Sequence, residues 1–214
     1  MTKLYLVRHG QTEWNKISKV QGRTDIELSE TGVRQAKLLA RRLSGEAIDV
    51  IYSSSLKRAL KTAETIAEYK KECRINKSEK YQEICLGPWE GMTINDIKEQ
   101  YSEHFRIYRE DPANFLLPGA ETFLELSERT YSSIMDIVRQ HHGKNILLVS
   151  HGTAIKAAII RILDLDIKNY TKFRIDNASI TTISFNEGVP AIVSLNDTCH
   201  LREDECSHEG VISD

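Results

Sequence analysis

At 214 residues, 40% hydrophobic, 28% charged and with a formal net charge of −2, the chain has the composition of a soluble globular protein of one domain, or of one domain with a modest insertion. So small a net charge gives no reason to expect nucleic acid or an anionic membrane as partner, and no apolar run approaches the roughly 20 residues needed to cross a bilayer. Met1 leads straight into a short run ending in charge, without the features of a signal peptide, and Cys73, Cys85, Cys199 and Cys206 form no C-x-x-C pair. Free thiols in a cytoplasmic setting are the expectation.

Along the chain, KLYLV (3–7) reads as a nearly continuous apolar strand. Val33, Ala36, Leu39, Ala40 and Leu43 recur at helical spacing. IDVIY (48–52) reads as a second strand, and Ser53 to Ser55 are available to cap the helix marked by Leu56, Ala59, Leu60, Ala63, Ile66 and Ala67. Residues 87 to about 125 fit a strand–helix rhythm poorly and read as an inserted lid. Phe123, Leu126, Thr130, Ile134, Ile137 and Val138 mark a third helix, NILLV (145–149) a third strand, and Ala154 to Leu163 a fourth helix. SITTISF (179–185) and AIVSL (191–195) flank NEGVP, whose Gly188 and Pro190 signal a turn, so an antiparallel hairpin is expected. The alternation predicts an α/β fold, a three-layer α/β/α sandwich on a mostly parallel sheet with a small helical lid. A single domain over 1–202 and a flexible acidic tail over 203–214 follow.

The stretch LYLVRHGQT (Leu4 to Thr12) sets Arg8 and His9 side by side at the end of an apolar strand, where two groups that can both be cationic repel each other. An anionic ligand would resolve that conflict. ILLVSHGTA (Ile146 to Ala154) repeats the plan: strand, His-Gly, small polar residue. Ligands of parallel α/β sheets bind beyond the carboxyl ends of the strands, so neighbouring strands of this kind would aim His9 and His151 at one crevice. Gly10 and Gly152 would allow close backbone approach to the ligand, and the helix starting near Thr153 would direct its first amides there, a favourable place for phosphate. Arg58, in the first turn after strand 48–52, can reach the same crevice.

These stretches carry a resemblance. LVRHGQTEWN, QGRTDIELSETG, YSSSLKRALKTAETI, EICLGPWEG and VSHGT, in this order over residues 3 to about 200, resemble the motif set of the histidine phosphatase superfamily, also called phosphoglycerate-mutase-like. The resemblance implies that His9 is the nucleophile that becomes phosphohistidine. It also implies that Arg8, Arg58 and His151 form the phosphate pocket and that Glu83 donates a proton to the leaving oxygen. Asn15, Gln21, Gly22 and Gly152 would complete the phosphate and substrate contacts. REDPANFLLPGAET resembles the branch of small bacterial phosphatases that includes broad-specificity phosphomonoesterases and alpha-ribazole phosphatase.

The chemistry suits the residue types. Phosphoryl transfer asks mainly for positioning and for neutralising charge on the equatorial oxygens, and Arg offers planar, bidentate donors that match phosphate. The same cations disfavour an imidazolium, which keeps a nucleophilic His neutral. Bound phosphate in turn disfavours a charged Glu83, as a proton donor requires. His9 and His151 lack a clustered carboxylate or Cys, and the tail set Cys199, His200, Cys206 and His208 is acidic and loosely ordered by composition, so no metal and no cofactor are expected. Trp14 and Trp89 could line the pocket or simply pack, whereas His104, His141 and His142 read as surface residues.

A mutase needs extra cations for a second anionic group. Residues 87–125 hold three basic side chains (Lys98, Arg106, Arg109) against eight acidic ones, and carry Phe105, Phe115, Leu116, Leu117 and Phe123 as apolar surface for a bulky leaving group. The expectation is therefore a metal-independent phosphomonoesterase acting on a small phosphorylated metabolite. A bisphosphoglycerate-dependent mutase is the rival, and a non-catalytic phosphate-binding module the third possibility. The partner is a small molecule, and nothing in the sequence separates monomer from homodimer.

Overall fold

The computed structural model describes residues 1–70 and 73–202. In chain order the elements are β1 (Thr2–Arg8), α1 (Glu13–Lys16), α2 (Glu30–Ser44), β2 (Val50–Ser54), α3 (Lys57–Ala67), β3 (Ile75–Ser78), α4 (Ile94–Gln100), α5 (Ser102–Glu110), α6 (Phe123–Gln140), β4 (Asn145–Ser150), α7 (Gly152–Ile162), β5 (Ile180–Asn186) and β6 (Val189–Asp197). The six strands form one sheet in the order β3-β2-β4-β1-β5-β6. The first four of that order run parallel, and β5 and β6 are antiparallel additions at one side.

Successive strand residues point to opposite faces, and here both faces are covered. Leu4 and Leu6 of β1, with Ile146 and Leu148 of β4, pack on one side against Ile134 and Ile137 of α6 and Ile155 and Ile159 of α7. Tyr5, Val7, Leu147 and Val149 pack on the other against Leu39 and Leu43 of α2 and Ala63 and Ile66 of α3. Burial on both faces explains why β1 and β4 read as unbroken apolar runs. The three-layer α/β/α sandwich is therefore as expected. So is the hairpin: Glu187 and Gly188 adopt φ of 50° and 85°, the two left-handed residues of a tight two-residue turn.

Three local expectations are corrected. β3 escaped notice because its sequence, INKS, has one apolar residue; as an edge strand it needs no apolar pattern. β2 runs two residues further than expected, so Ser53 and Ser54 are buried strand residues rather than helix caps. The start of α3 is instead capped from outside, where the Asp25 carboxylate accepts the Lys57 N–H at 2.7 Å.

Residues 87–122 contain short helices and turns and no strand. They wrap around Trp89, which is fully buried with Ile97, Phe115, Leu117 and Phe123, and this cluster continues onto Ala154, Ala157 and Ile160 of α7. The apolar side chains expected to receive a leaving group are thus mostly spent inside the protein. Of the five, only Leu116 is exposed. Among the described residues no helix is long and apolar enough to cross a membrane. Cys206, His208 and the rest of the tail lie outside the described residues.

Candidate active site

β1 and β4 are neighbours in register, with Arg8 opposite Ser150, so the two His-Gly pairs leave the sheet together. The imidazole rings of His9 and His151 stand 5.1 Å apart, and both residues are buried. The His9 Nδ1 lies 2.7 Å from the Gly10 carbonyl oxygen, which can only accept, so Nδ1 carries the proton and Nε2 of the neutral ring keeps its lone pair. Burial first, then Arg58 and Arg8, holds the His9 imidazole well below its ordinary value of 6.5. His151 is held down in the same way, by burial, Arg58, His9 and Arg8. Its Nε2 meets the Ser54 hydroxyl at 2.8 Å. That oxygen also accepts the Leu56 N–H at 3.3 Å. The Nδ1 of His151 is buried and has no partner.

Both guanidinium groups are fixed by backbone. Arg58, fully buried in the first turn of α3, donates to the carbonyls of Thr24 (2.8 Å) and Gly22 (2.7 Å). Arg8 donates to the Ile175 carbonyl at 2.7 Å. The Nε of each is buried without a partner. Burial lowers the Arg58 value to about 10, which leaves it charged at neutral pH. Arg8, His9, Asn15, Gln21, Gly22, Arg58 and Glu83 line one cleft of about 150 Å³, so the site residues expected from the sequence do converge. His151 stands behind this wall, and Gly152 lines the adjoining cavity.

The glycines act differently from the expectation. A Cβ on Gly10 would come 2.5 Å from the Gly32 carbonyl oxygen, so Gly10 serves close packing of the His9 loop on α2 rather than approach to a ligand. Gly152 has the Arg8 guanidinium 3.4 Å from its Cβ position, which lets that side chain lie across the start of α7. Gly22 has φ of +51° and would meet the Glu90 carboxylate, and its conformation turns its carbonyl onto Arg58.

A further correction concerns α7. Its first amides do not stand open to phosphate: the Glu83 carboxylate takes the N–H of Thr153 (3.0 Å) and of Ala154 (2.9 Å). The helix start therefore orients Glu83. The Glu83 loop is held from α6 by Arg129, which donates to the carbonyls of Lys80 and Gln82 and pairs twice with Glu121 at 2.8 and 2.9 Å. Arg23 adds a bond to the Glu83 carbonyl at 3.3 Å.

Beyond Glu83 the cleft opens into a cavity of about 320 Å³ lined by Arg8, Glu83, Gly152, Thr153, Lys156, Tyr170, Arg174, Ile175 and Asp176. Lys156 lies over the rings of Tyr170 and Phe173 at 4.7 and 5.8 Å, and burial with Arg109, Arg8 and Arg174 nearby lowers its value. Asp176 is held below the ordinary carboxylate range by Asn196 and Arg174 against the opposing effect of burial. Arg8, Glu83 and Thr153 line both spaces and so mark the boundary between them.

A comparison with known protein families matches residues 4–198 to the histidine phosphatase superfamily, branch 1. This chain belongs to that superfamily. Phosphoserine phosphatase 1 of Hydrogenobacter thermophilus is 39% identical over 95% of this chain and 96% of its own length. GpmB of Escherichia fergusonii, whose name assigns it to the phosphoglycerate mutases, is 34% identical over 87% of this chain and 86% of its own. Among solved structures, the H9A mutant of Entamoeba histolytica phosphoserine phosphatase, in complex with phosphoserine, superposes with a TM-score of 0.85 at 38% identity, covering 94% of this chain and all of that one. The chain is a phosphatase of the histidine phosphatase superfamily.

Within this histidine phosphatase, sequence reasoning missed Ser54, Lys156, Arg174, Asp176 and the Arg129–Glu121 pair. Lys156 had a signal, since it follows VSHGT by less than one helical turn. Arg174 and Asp176 had none: they sit in a patternless loop that reaches the site because β5 pairs antiparallel with β1. Trp89 is core, and Trp14 stacks under Lys19 at 4.6 Å, so neither lines the pocket. His141 is half-buried and bonded to the Tyr52 hydroxyl at 2.9 Å rather than free on the surface.

Proposed function

We propose that this phosphatase hydrolyses a small phosphorylated amino or hydroxy acid, with phosphoserine as the leading substrate, through a phosphohistidine on His9. The observation that carries the reading is the pairing of two spaces across Glu83: a cationic cleft of about 150 Å³ and a polar cavity of about 320 Å³ bearing Lys156, Arg174 and Asp176. Charges of both signs suit a zwitterion. Lys156 and Arg174 can take a carboxylate, Asp176 an ammonium, and the cavity is of amino-acid size. A bulky aromatic leaving group would find little apolar surface there beyond Tyr170 and Ile175.

In the first step the His9 Nε2 lone pair attacks phosphorus, the N–P bond forms, the P–O bond to the leaving group breaks, and Glu83 gives its proton to the departing oxygen. Arg8, Arg58, Asn15 and the Nδ1–H of His151 hold the equatorial oxygens. In the second step water attacks phosphorus, the N–P bond breaks, and the Glu83 carboxylate takes the water proton.

The same cations favour one rival, a phosphoglycerate mutase, because they supply the second-anion site that the acidic segment 87–125 lacks. The test is a panel of phosphoserine, 3-phosphoglycerate with and without bisphosphoglycerate, sugar phosphates and p-nitrophenyl phosphate, run on chelator-treated protein. Phosphate release fastest from phosphoserine, and abolished in a folded His9→Ala variant, is the expected result. Phosphoglycerate interconversion that requires bisphosphoglycerate would replace it with the mutase reading, and turnover by His9→Ala would remove the nucleophile.

A further inference from the structure

The loop just before β5 does more than carry Asp176. The Nδ2 of Asn177 lies 3.1 Å from the His9 carbonyl oxygen, 3.4 Å from that of Gly10 and 3.3 Å from the Oδ1 of Asn15. Its neighbours hold it there. Ala178 is fully buried at φ of +56°, a conformation an L residue adopts only when its surroundings impose it. The Ala178 N–H is shared between the carbonyls of Arg8 and His9, both at 3.1 Å. On the other side Asp176 is clamped by Asn196, whose Oδ1 accepts the Asp176 N–H at 2.6 Å while its Nδ2 donates to the carboxylate at 2.8 Å.

We propose that Asn177 is a positioning residue that fixes which nitrogen of His9 is protonated and which end of the Asn15 amide faces the phosphate. The inference rests on His9 being the nucleophile. Its first half follows from Gly10, whose carbonyl accepts the His9 Nδ1–H at 2.7 Å and lies 3.4 Å from the Asn177 Nδ2. Asn177 thus holds the peptide that keeps the proton on Nδ1 and the lone pair on Nε2. The second half follows from Asn15. Its Oδ1 accepts from the Thr12 N–H at 3.0 Å and the Thr12 hydroxyl at 3.1 Å, and Asn177 is the third donor. Only an oxygen satisfies three donors, so the Asn15 NH₂ is turned toward the cleft that it lines, ready to donate to a phosphate oxygen.

The test compares Asn177→Ala, the isosteric Asn177→Asp and Asn196→Ala. The last frees the same loop without removing the donor. Losing one hydrogen bond corresponds to about a tenfold effect. Asn177→Ala is expected to lower kcat about tenfold or more and to raise the inhibition constant of free phosphate by about the same factor. Asn177→Asp adds a negative charge that favours the imidazolium, so the acid limb of kcat/KM moves to higher pH. In histidine-labelled protein without substrate, nitrogen NMR should show His9 protonated on Nδ1 in the parent and as a mixture of tautomers in Asn177→Ala. Unchanged tautomer, kcat and phosphate inhibition in a folded Asn177 variant would overturn the proposal. So would an Asn196→Ala variant that reproduces every effect, because the role would then be structural. The ligand-free tautomer readout does not depend on turnover, so a failure of the nucleophile assignment, seen in His9→Ala, is distinguishable from a failure here.

Discussion

Lowering the pH from 7.5 to 5.5 should destabilise this protein by an amount set by His9 and His151. Both rings are held neutral in the folded chain, well below 6.5, by burial and by Arg58 and Arg8. In the unfolded chain each returns to about 6.5, so unfolding below that pH takes up protons and stability falls as pH falls through the unfolded value. A ring that stays neutral when folded loses about 1.4 kcal/mol between pH 7.5 and 5.5, and two lose about 2.7 kcal/mol. Asp176, Asp197 and Glu46 are shifted downward, so they keep their charge across this window and contribute little to the difference. The assay is urea unfolding in phosphate-free buffer at both pH values, followed by tryptophan fluorescence, on the parent chain and on His9→Gln. The variant should show about half the loss. A parent difference below about 1 kcal/mol, or an equal difference in His9→Gln, would mean that His9 is charged in the folded state, contrary to the role proposed for it.

Glu83→Gln should reduce turnover of phosphoserine about a hundredfold or more and that of p-nitrophenyl phosphate much less, because p-nitrophenolate leaves without a proton; equal losses in a comparison of kcat values would remove the acid role. Lys156→Met, which keeps the stem over Tyr170, should raise KM for phosphoserine about tenfold or more while leaving kcat/KM for p-nitrophenyl phosphate within about twofold. A KM that stays put would take the carboxylate away from Lys156. Gly10→Ala drives a methyl group to 2.5 Å from the Gly32 carbonyl oxygen, and backbone on both sides leaves little to give way. A cost of about 1–3 kcal/mol follows, read as a Tm lower by several degrees together with lost activity, and a parent-like Tm would show that the loop can shift freely.

The parts of the site legible in the sequence are those fixed by local chain direction. Once β1 and β4 are strands, Arg8, His9 and His151 must emerge at their carboxyl ends, and the first turn of α3 delivers Arg58 whichever residue caps it. What stayed hidden depends on partners distant in the chain. The serines after β2 looked like caps, yet the strand absorbed them and Ser54 turned to His151, 97 positions away. The amides at the start of α7 looked open, and nothing within that helix shows that Glu83 covers them from 70 positions earlier. Summing charge over residues 87–125 undercounted the cations beside the cleft, since Lys156 and Arg174 come from α7 and the loop before β5. The aromatic residues of that same segment misled for the opposite reason. A short helical insertion has to bury its own apolar side chains, so Trp89, Phe115 and Phe123 make a core instead of a pocket.

The adjacency of Arg8 and His9 is tolerated because the buried imidazole is neutral, and the charge left over belongs to Arg8 and Arg58. The Nε of Arg8 and the Nε of Arg58 are buried with no protein partner, and both side chains line one cleft, behind which the Nδ1 of His151 is buried and unpaired as well. A buried polar atom left without any partner costs about 1–3 kcal/mol. The fold tolerates that because the surrounding backbone leaves the donors no alternative: the carbonyls of Thr24, Gly22 and Ile175 fix the guanidinium groups, and Ser54 fixes the imidazole. Donors locked in place before the ligand arrives need no reorganisation when it binds, and phosphoryl transfer draws most of its acceleration from such preorganised charge. On the proposed reading, a phosphoryl group entering this cleft offsets the repulsion between the two guanidinium groups. Two cations and a neutral imidazole held in place before any ligand arrives are what the proposed phosphoryl transfer to His9 asks of this corner of the fold.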